Sequence, residues 1–247
     1  MVTIALYNLK GGVGKTAATI NLAFLSAQQG FKTLIWDLDP QGSSSFYLGA
    51  QASVKNESKK ILSSEFELMH AIQATPYENL DVIPADLSAR HADVLLHEMK
   101  QSRKKIATLL TVLQKKYDVI FLDSPPGISL LHEAIFHAAD WVLMPNIPTT
   151  LSIRSYETVM DYFKANDLDT SKIKCFFSMV DHRKNLHHEV MTEFYKDKVF
   201  FKNYIPYLSD VEKMGIQQAP LATFARSSYA AQCYQDLWKE IRRNCIE

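Results

Sequence analysis

The sequence has few cysteines, no excess of charge of either sign and no long hydrophobic run. Its three cysteines, Cys175, Cys233 and Cys245, form no CxxC pair and are odd in number, which argues against a disulfide framework or a structural zinc site. The 27 basic and 27 acidic side chains balance, so no global field attracts nucleic acid or an anionic membrane. No stretch approaches the ~18 apolar residues that cross a bilayer, and no basic leader precedes the first apolar run. We therefore expect a cytoplasmic protein without a membrane span.

Strand-length apolar runs alternate with longer segments of helical period. With 47% hydrophobic and 22% charged residues among 247, the chain has the composition of an ordered globular protein. Strands are predicted at residues 2–7, 33–36, 80–83, 119–122, 141–144 and 173–179, with helices at 15–29 and near the end of the chain. The least patterned segment, 43–78, is interpreted as a loop-and-helix excursion. The alternation predicts an α/β fold, a doubly wound, mainly parallel β-sheet flanked by helices, in one domain over residues 1–247.

A glycine-rich segment, Lys10-Gly11-Gly12-Val13-Gly14-Lys15-Thr16, joins the first predicted strand to the first predicted helix. Its glycines let successive backbone N–H groups point at one centre, and the following helix adds its positive N-terminal end. Lys15 would place a charge beside the β- and γ-phosphates of a nucleotide, and the Thr16 hydroxyl would be a ligand for Mg²⁺. The segment therefore predicts a phosphate-binding loop for ATP and Mg²⁺.

Acidic side chains end two of the predicted strands. Asp37 and Asp39 follow one apolar run, in the sequence DLDPQG, and Asp123 follows another, in the sequence LDSPP. A parallel sheet places ligands at the carboxyl ends of its strands, where these acids would meet the phosphate loop. They are interpreted as a metal and water site, although an acid that ends a buried strand is more often simply exposed to solvent.

Three motifs together resemble the ParA/MinD family of deviant Walker P-loop ATPases. The phosphate loop is similar to that family's KGGVGKT sequence, residues 37–42 to its DxDPQG segment and residues 122–126 to its DxPP segment. The likeness extends over the whole chain, through Ile205-Pro206 to the closing helix. The sequence Asp-Pro-Gln-Gly after position 38 looks more like the ParA and Soj partition ATPases than like MinD.

The resemblance implies a role for each site residue. Lys10 would reach the phosphates bound by the other subunit of an ATP-sandwich homodimer, so Lys10, Lys15 and Asp39 form the predicted catalytic set. Asp39 would position the attacking water, while Thr16, Asp123 and, as support, Asp37 would serve Mg²⁺. The predicted nucleotide-binding residues are Lys10, Gly11, Gly12, Val13, Gly14, Lys15, Thr16, Ala17 and Pro206. ATP would then hold the dimer together, and hydrolysis would release it.

Two departures from the family pattern stand out. The family usually has Ser or Thr where this chain has Ala17, so a hydroxyl to the α-phosphate is lost. Family members that bind DNA nonspecifically carry arginines soon after the Ile-Pro sequence, whereas here Tyr207-Leu208-Ser209-Asp210 follows. Residues 175–247 contain ten basic and nine acidic side chains, and only Arg183, Lys184, Lys202 and Arg226 are candidates for a patch. Nonspecific DNA binding and association with the nucleoid are left open.

Three classes of function remain at this stage. The first is an ATPase that hydrolyses ATP to partition or position a plasmid, a chromosome region or a protein assembly, stimulated by a ParB-like or cargo-linked partner. The second is an ATP-dependent metabolic enzyme of related fold, such as dethiobiotin synthetase or the nitrogenase-type iron protein, whose cluster cysteines have no match here. The third is an accessory ATPase of a secretion, chemotaxis or flagellar system. The pair His187-His188 is interpreted as two surface residues.

Overall fold

One sheet organises the part of the chain that the computed structural model describes, residues 1–53 and 57–247. Its strands are β1 (Val2–Leu6), β2 (Thr33–Asp37), β3 (Gln73–Ala74), β4 (Leu80–Ile83), β5 (Val119–Asp123), β6 (Trp141–Asn146) and β7 (Ile173–Phe177). They lie in the order β3-β4-β2-β5-β1-β6-β7. All neighbouring strands are parallel except β3, which pairs antiparallel to β4 at one edge.

Helices connect the strands and cover both faces of the sheet. They are α1 (Lys15–Gln28), α2 (Ser43–Tyr47), α3 (Glu57–Ser63), α4 (Glu65–His70), α5 (Ala92–Glu98), α6 (Lys105–Thr111), α7 (Leu130–Ala138), α8 (Thr150–Ala165), α9 (Asn185–Glu193), α10 (Ser209–Glu212), α11 (Met214–Gln217), α12 (Leu221–Phe224) and α13 (Tyr229–Cys245). No helix within residues 1–53 and 57–247 is long and apolar enough to cross a membrane.

The central strands are buried on both faces, as parallel strands with helices on either side must be. Along β1, Ile4 and Leu6 belong to one core cluster while Ala5 and the following Tyr7 belong to the cluster on the opposite face. This two-residue alternation is the strand period, and it explains why these segments are apolar at consecutive positions. The predicted apolar face of α13 is buried too, with Trp238 fully covered and its indole N–H donating to Gln29 at 2.9 Å.

The predicted fold class is confirmed. The six strands read from the sequence correspond to β1, β2, β4, β5, β6 and β7, and the short edge strand β3 lies inside the segment interpreted as loop and helix. The last predicted strand is shorter than expected, since β7 ends at Phe177 and Met179 has a left-handed φ of 55°. The expectation that His187 and His188 both lie at the surface is wrong for His187. His187 is buried and its Nδ1 accepts the N–H of Asp181 at 3.0 Å, whereas His188 is exposed.

Strand register brings the chemistry to one edge of the sheet. Strand β5 lies between β1 and β2, and residues 6, 37 and 123 occupy matching positions at the carboxyl ends of these three strands. The loop after β1 therefore meets the acids that end β2 and β5.

Candidate functional site

The loop between β1 and α1 curls into one wall of a cavity of about 690 Å³. Gly12 and Gly14 have φ values of +71° and +90°, in the left-handed region that glycine adopts without steric cost. The cavity is lined by Gly11, Gly12, Gly14, Lys15, Thr16 and Ala17 of this loop and helix start. Helix α1 begins at Lys15, so the backbone N–H groups of its first turn face the same space.

Two residues of the predicted nucleotide-binding set, Val13 and Lys10, do not line the cavity. Val13 is buried, with 2% of the residue exposed, so it can offer a ligand only its backbone. The ammonium of Lys10 donates to the backbone carbonyl of Leu151 at 2.7 Å, at the start of α8.

Lys15 is the buried cation of the site. Its side chain lines the cavity although the residue is only 7% exposed, and its Nζ donates to the carbonyl of Lys10 at 3.1 Å. Burial lowers the pKa of Lys15, while the carboxylates of Asp123 and Asp39 oppose that shift. A buried ammonium aimed into a cavity attracts oxygen-rich anions.

Asp123 is buried at the end of β5 and is surrounded by hydroxyls. Its Oδ2 accepts the Ser44 hydroxyl at 2.6 Å and its Oδ1 accepts the Thr19 hydroxyl at 3.3 Å. Burial raises the pKa of Asp123, and the hydrogen bonds from Ser44 and Thr16 lower it. The first turn of α1, the end of β5 and α2 thus converge on one carboxylate.

Asp37 does not line the cavity but holds the backbone next to it. Its Oδ2 accepts both the N–H and the hydroxyl of Ser45, at 2.9 and 2.7 Å, and its Oδ1 accepts the N–H of Asp39 at 3.1 Å. Burial, followed by the nearby Asp123, raises the pKa of Asp37 to about 7 against the pull of these hydrogen bonds. The contacts make Asp37 the anchor that holds α2 against the end of β2.

Asp39 faces the cavity directly. It is half-buried and lines the opening together with Pro40 and Gln41. Its Oδ1 accepts the N–H of Gln41 at 2.9 Å, which fixes the carboxylate in a tight turn. This places a fixed carboxylate on the cavity wall, near enough to Lys15 to oppose the lowering of its pKa.

Apolar and aromatic residues also line the cavity. Pro206 is among them, held beside β7 by a bridge to Val180, with Leu208 and Val211. Tyr47 of α2 and Tyr234 of α13 line it too, together with the acidic Glu212. A cavity lined by a glycine-rich loop and by apolar and aromatic side chains has a composition that suits a nucleotide.

Several residues that organise the site were not found from the sequence. Ser44 lies in a run of three serines within the segment of weakest pattern, and only the fold shows that its hydroxyl faces Asp123. His132 is far along the chain, yet its Nε2 contacts the carbonyl of Pro125 at 3.0 Å, which fixes the loop after β5. Burial lowers the pKa of His132. A lone histidine on a helix carries no sequence signal for this role.

Gly14→Ala is expected to destabilise the fold more than Gly12→Ala. Both glycines have positive φ, so each alanine would cost roughly 1–2 kcal/mol of backbone strain. A Cβ on Gly14 would also meet Ser178 Oγ at 2.9 Å, whereas one on Gly12 would meet no atom within 4 Å. Urea unfolding of both variants measures the difference, and equal losses of unfolding free energy would contradict this packing.

Comparison with known proteins identifies the family of this chain. Residues 1–173 match a family model described as an AAA domain. The chain is 30% identical over 249 residues to the sporulation initiation inhibitor protein Soj of Bacillus subtilis strain 168, covering 98% of each protein. It is 31% identical over 251 residues to the chromosome-partitioning ATPase Soj of Treponema pallidum, covering 97% of this chain and 96% of that one.

A solved structure shares the fold at lower identity. The septum site-determining protein MinD of Pyrococcus horikoshii, complexed with Mg-ADP, superposes with a TM-score of 0.77 at 20% identity, covering 97% of this chain and 95% of that one. The resemblance inferred from the three motifs is thus confirmed across the whole chain. Because it is related over almost its whole length to these two Soj proteins, this chain belongs to the ParA/MinD family of deviant Walker P-loop ATPases.

Proposed function

We propose that this protein hydrolyses ATP with Mg²⁺ and uses an ATP-dependent homodimer to partition or position a cargo. The observation that carries the proposal is one cavity that Lys15 and Thr16, at the start of α1, line together with Asp39. The relatedness to Soj proteins over the whole chain favours this function over a metabolic one. The cargo is a plasmid, a chromosome region or a protein assembly.

The residues present fit ATP and Mg²⁺. The donors around the metal position are oxygens, the Thr16 hydroxyl and the Asp123 carboxylate, and oxygen is the ligand that Mg²⁺ prefers. When bound, Mg²⁺ neutralises charge on the terminal phosphates. Asp37 holds the adjoining backbone, and Pro206 supports the base.

Asp39 is the residue we assign to the attacking water. Asp39 lines the same cavity as the phosphate loop, and its carboxylate is fixed by the Gln41 N–H. A carboxylate so held can accept a hydrogen bond from water and orient it toward the terminal phosphate. Lys15 supplies positive charge in the same cavity.

ATPase activity in the presence of Mg²⁺ tests the proposed reaction. Phosphate release is expected from ATP, and Lys15→Ala is expected to abolish nucleotide binding because it removes the buried cation. A metabolic enzyme would instead release phosphate only with a second substrate. Robust ATP binding without any phosphate release, alone or with a cargo-linked activator and DNA, would contradict the proposed ATPase.

Ala17→Ser is expected to strengthen nucleotide binding. Ala17 lines the cavity one residue after Thr16, and a hydroxyl there would restore a donor toward the α-phosphate. One neutral hydrogen bond contributes about 1 kcal/mol, or a several-fold gain in affinity. Titration of a fluorescent ADP analogue measures this gain, and Ala222→Ser outside the cavity is the matched control. Unchanged or weaker affinity of Ala17→Ser would contradict the placement of the α-phosphate.

We propose that the ATP-bound dimer binds DNA through basic side chains around the loop after β7. The Tyr204 hydroxyl contacts His182 Nε2 at 2.9 Å and the Tyr229 hydroxyl at 3.4 Å, so the segments carrying Lys184 and Arg226 adjoin. Arg183 is already engaged, with Nε and Nη2 both 2.9 Å from the carboxylate oxygens of Asp181.

The double substitution Lys184→Ala and Arg226→Ala is therefore expected to weaken binding to duplex DNA with ATP. Loss of two phosphate contacts should reduce the slope of log affinity against log salt by roughly 2. Arg183→Ala is the matched control and should have a smaller effect, because Asp181 already neutralises it. Fluorescence anisotropy over a salt series measures both, and an unchanged slope in the double variant would contradict this surface. A cytoplasmic, nucleoid-associated location and a ParB-like or cargo-linked activator complete the proposal.

A further inference from the structure

Lys10 is tied to its own chain at all three of its polar groups. Its backbone N–H donates to Asn8 Oδ1 at 2.9 Å, its carbonyl accepts Lys15 Nζ at 3.1 Å, and its own Nζ donates to the Leu151 carbonyl at 2.7 Å. The side chain therefore extends between two fixed points, one at its backbone and one at the start of α8. The hydrogen bond of the Lys10 N–H depends on Asn8, a residue that has no role in the proposed ATP hydrolysis.

Asn8 is fully buried, and its amide is satisfied on every side. Its Nδ2 donates to the Pro145 carbonyl at 2.8 Å and contacts Asn146 Oδ1 at 3.3 Å. Asn146 is buried as well, and its Nδ2 donates to the Met144 carbonyl at 3.0 Å. Burial of two amides is unfavourable unless each hydrogen bond is made, so this pair holds one geometry.

The Asn8–Asn146 pair connects the two places at which Lys10 is held, its backbone N–H and the Leu151 carbonyl. Asn8 follows β1, Asn146 ends β6, and α8 begins four residues later at Thr150. The Asn146 carbonyl also accepts the N–H of Ser178 at 2.9 Å, which links the unit to the end of β7. The backbone of Lys10 and the carbonyl that receives its ammonium thus belong to one hydrogen-bonded unit.

We infer that Asn8 is a positioning residue for Lys10, which fixes the backbone from which the lysine leaves the loop. The inference rests on the proposed function, in which Lys10 reaches the phosphates of a second copy. In that case the lysine exchanges one oxygen acceptor, the Leu151 carbonyl, for another across the dimer. A fixed backbone makes this exchange a movement of the side chain alone, which keeps the entropy loss on association small.

A purely structural role for Asn8 predicts a different pattern of defects. If Asn8 only fills the core, its removal should weaken fold, nucleotide binding and association together. If it positions Lys10, nucleotide binding by the monomer should persist while association fails, because Lys15, Thr16 and the loop glycines supply the site within one chain. The ratio of the two affinities separates these roles.

The test compares Asn8→Ala with the parent. Asn8→Ala removes the acceptor for the Lys10 N–H. Ser152→Ala is the matched control, because Ser152 is buried and lies 3.5 Å from Asn146 Oδ1 in the same unit. Affinity for Mg-ADP is measured by fluorescence, and association with Mg-AMPPNP by sedimentation.

The expected result is ADP affinity within about threefold of the parent and association weakened about tenfold or more in Asn8→Ala. Ser152→Ala should associate like the parent. Equal association of Asn8→Ala and the parent would overturn the inference, as would parallel losses of ADP affinity and association.

Hydrogen exchange at the Lys10 amide provides a second readout that does not depend on a folded variant. The N–H···Oδ1 bond predicts a protected amide in the parent protein, and rapid exchange at Lys10 would overturn the inference. If the parent itself fails to associate with AMPPNP, the proposed dimer is wrong, while the exchange measurement still decides whether Asn8 holds the Lys10 backbone.

Discussion

Lys10→Ala is expected to bind ATP as a monomer and to lose ATP-dependent association. The Lys10 ammonium lies outside the nucleotide cavity of its own chain, on the Leu151 carbonyl, so its removal leaves Lys15 and Thr16 in place. In a two-fold symmetric dimer each lysine would make one charge-assisted contact in trans. Two such contacts, at ~1.5–3 kcal/mol each, correspond to a loss of about 10²–10⁴-fold in association.

Sedimentation with Mg-AMPPNP and titration with Mg-ADP measure the two effects separately. Lys213→Ala is the matched control, since that lysine is exposed and pairs with Asp210 at 2.9 Å. Association of Lys10→Ala at the strength of the parent would contradict the trans role of the lysine. A parallel loss of ADP affinity would instead indicate that Lys10 acts within its own chain.

Asp39→Ala is expected to bind ATP, associate and hydrolyse very slowly. The carboxylate lines the cavity where water would approach the terminal phosphate, and a positioned base of this kind contributes roughly 10²–10⁴-fold to a rate. The contacts that hold nucleotide and partner are made by other residues, so the dimer should persist. Asp39→Ala therefore gives the opposite phenotype to Lys10→Ala.

Phosphate release and mass, measured on the same sample with Mg-ATP, test this prediction. Asp210→Ala is the control, because it removes an acidic side chain outside the cavity. Hydrolysis by Asp39→Ala within threefold of the parent would contradict the role assigned to Asp39. Failure of Asp39→Ala to associate would show that the carboxylate shapes the interface instead.

The sequence predicted the parts of the site that follow strand ends. Asp37 and Asp123 terminate apolar runs, and the parallel sheet places them opposite each other in register. The phosphate loop was equally readable, because strand, glycines, lysine and helix must follow in that order for backbone N–H groups to converge. Local pattern was sufficient wherever the candidate site is built from consecutive residues.

Contacts between distant segments could not be predicted in this way. Ser44 reaches Asp123 across 79 positions, and Asn8 meets Asn146 across 138. The bond from Lys10 to Leu151 uses a backbone carbonyl, which every residue possesses and no sequence pattern marks. His187 was expected at the surface for a related reason, since only packing of α9 against the loop after β7 buries it.

The role proposed for Lys10 in the dimer rests on one physical argument. A cation supplied by a second copy favours the dimer only while a terminal phosphate is present to receive it, so hydrolysis removes the differential contact. The structure supplies the elements this requires, a cavity in one chain and a separate lysine outside it. The cis contact on Leu151 gives that lysine an alternative acceptor when no partner is bound.

The molecular mass of the protein with Mg-ATP and with Mg-ADP tests the proposed switch most directly. Light scattering of Asp39→Ala should give the chain mass of 28.1 kDa with ADP and twice that mass with ATP. The parent should show the same shift with AMPPNP. The ATP-gated dimer would be contradicted if Asp39→Ala had the same mass with ATP and ADP and the parent had the same mass with AMPPNP and ADP.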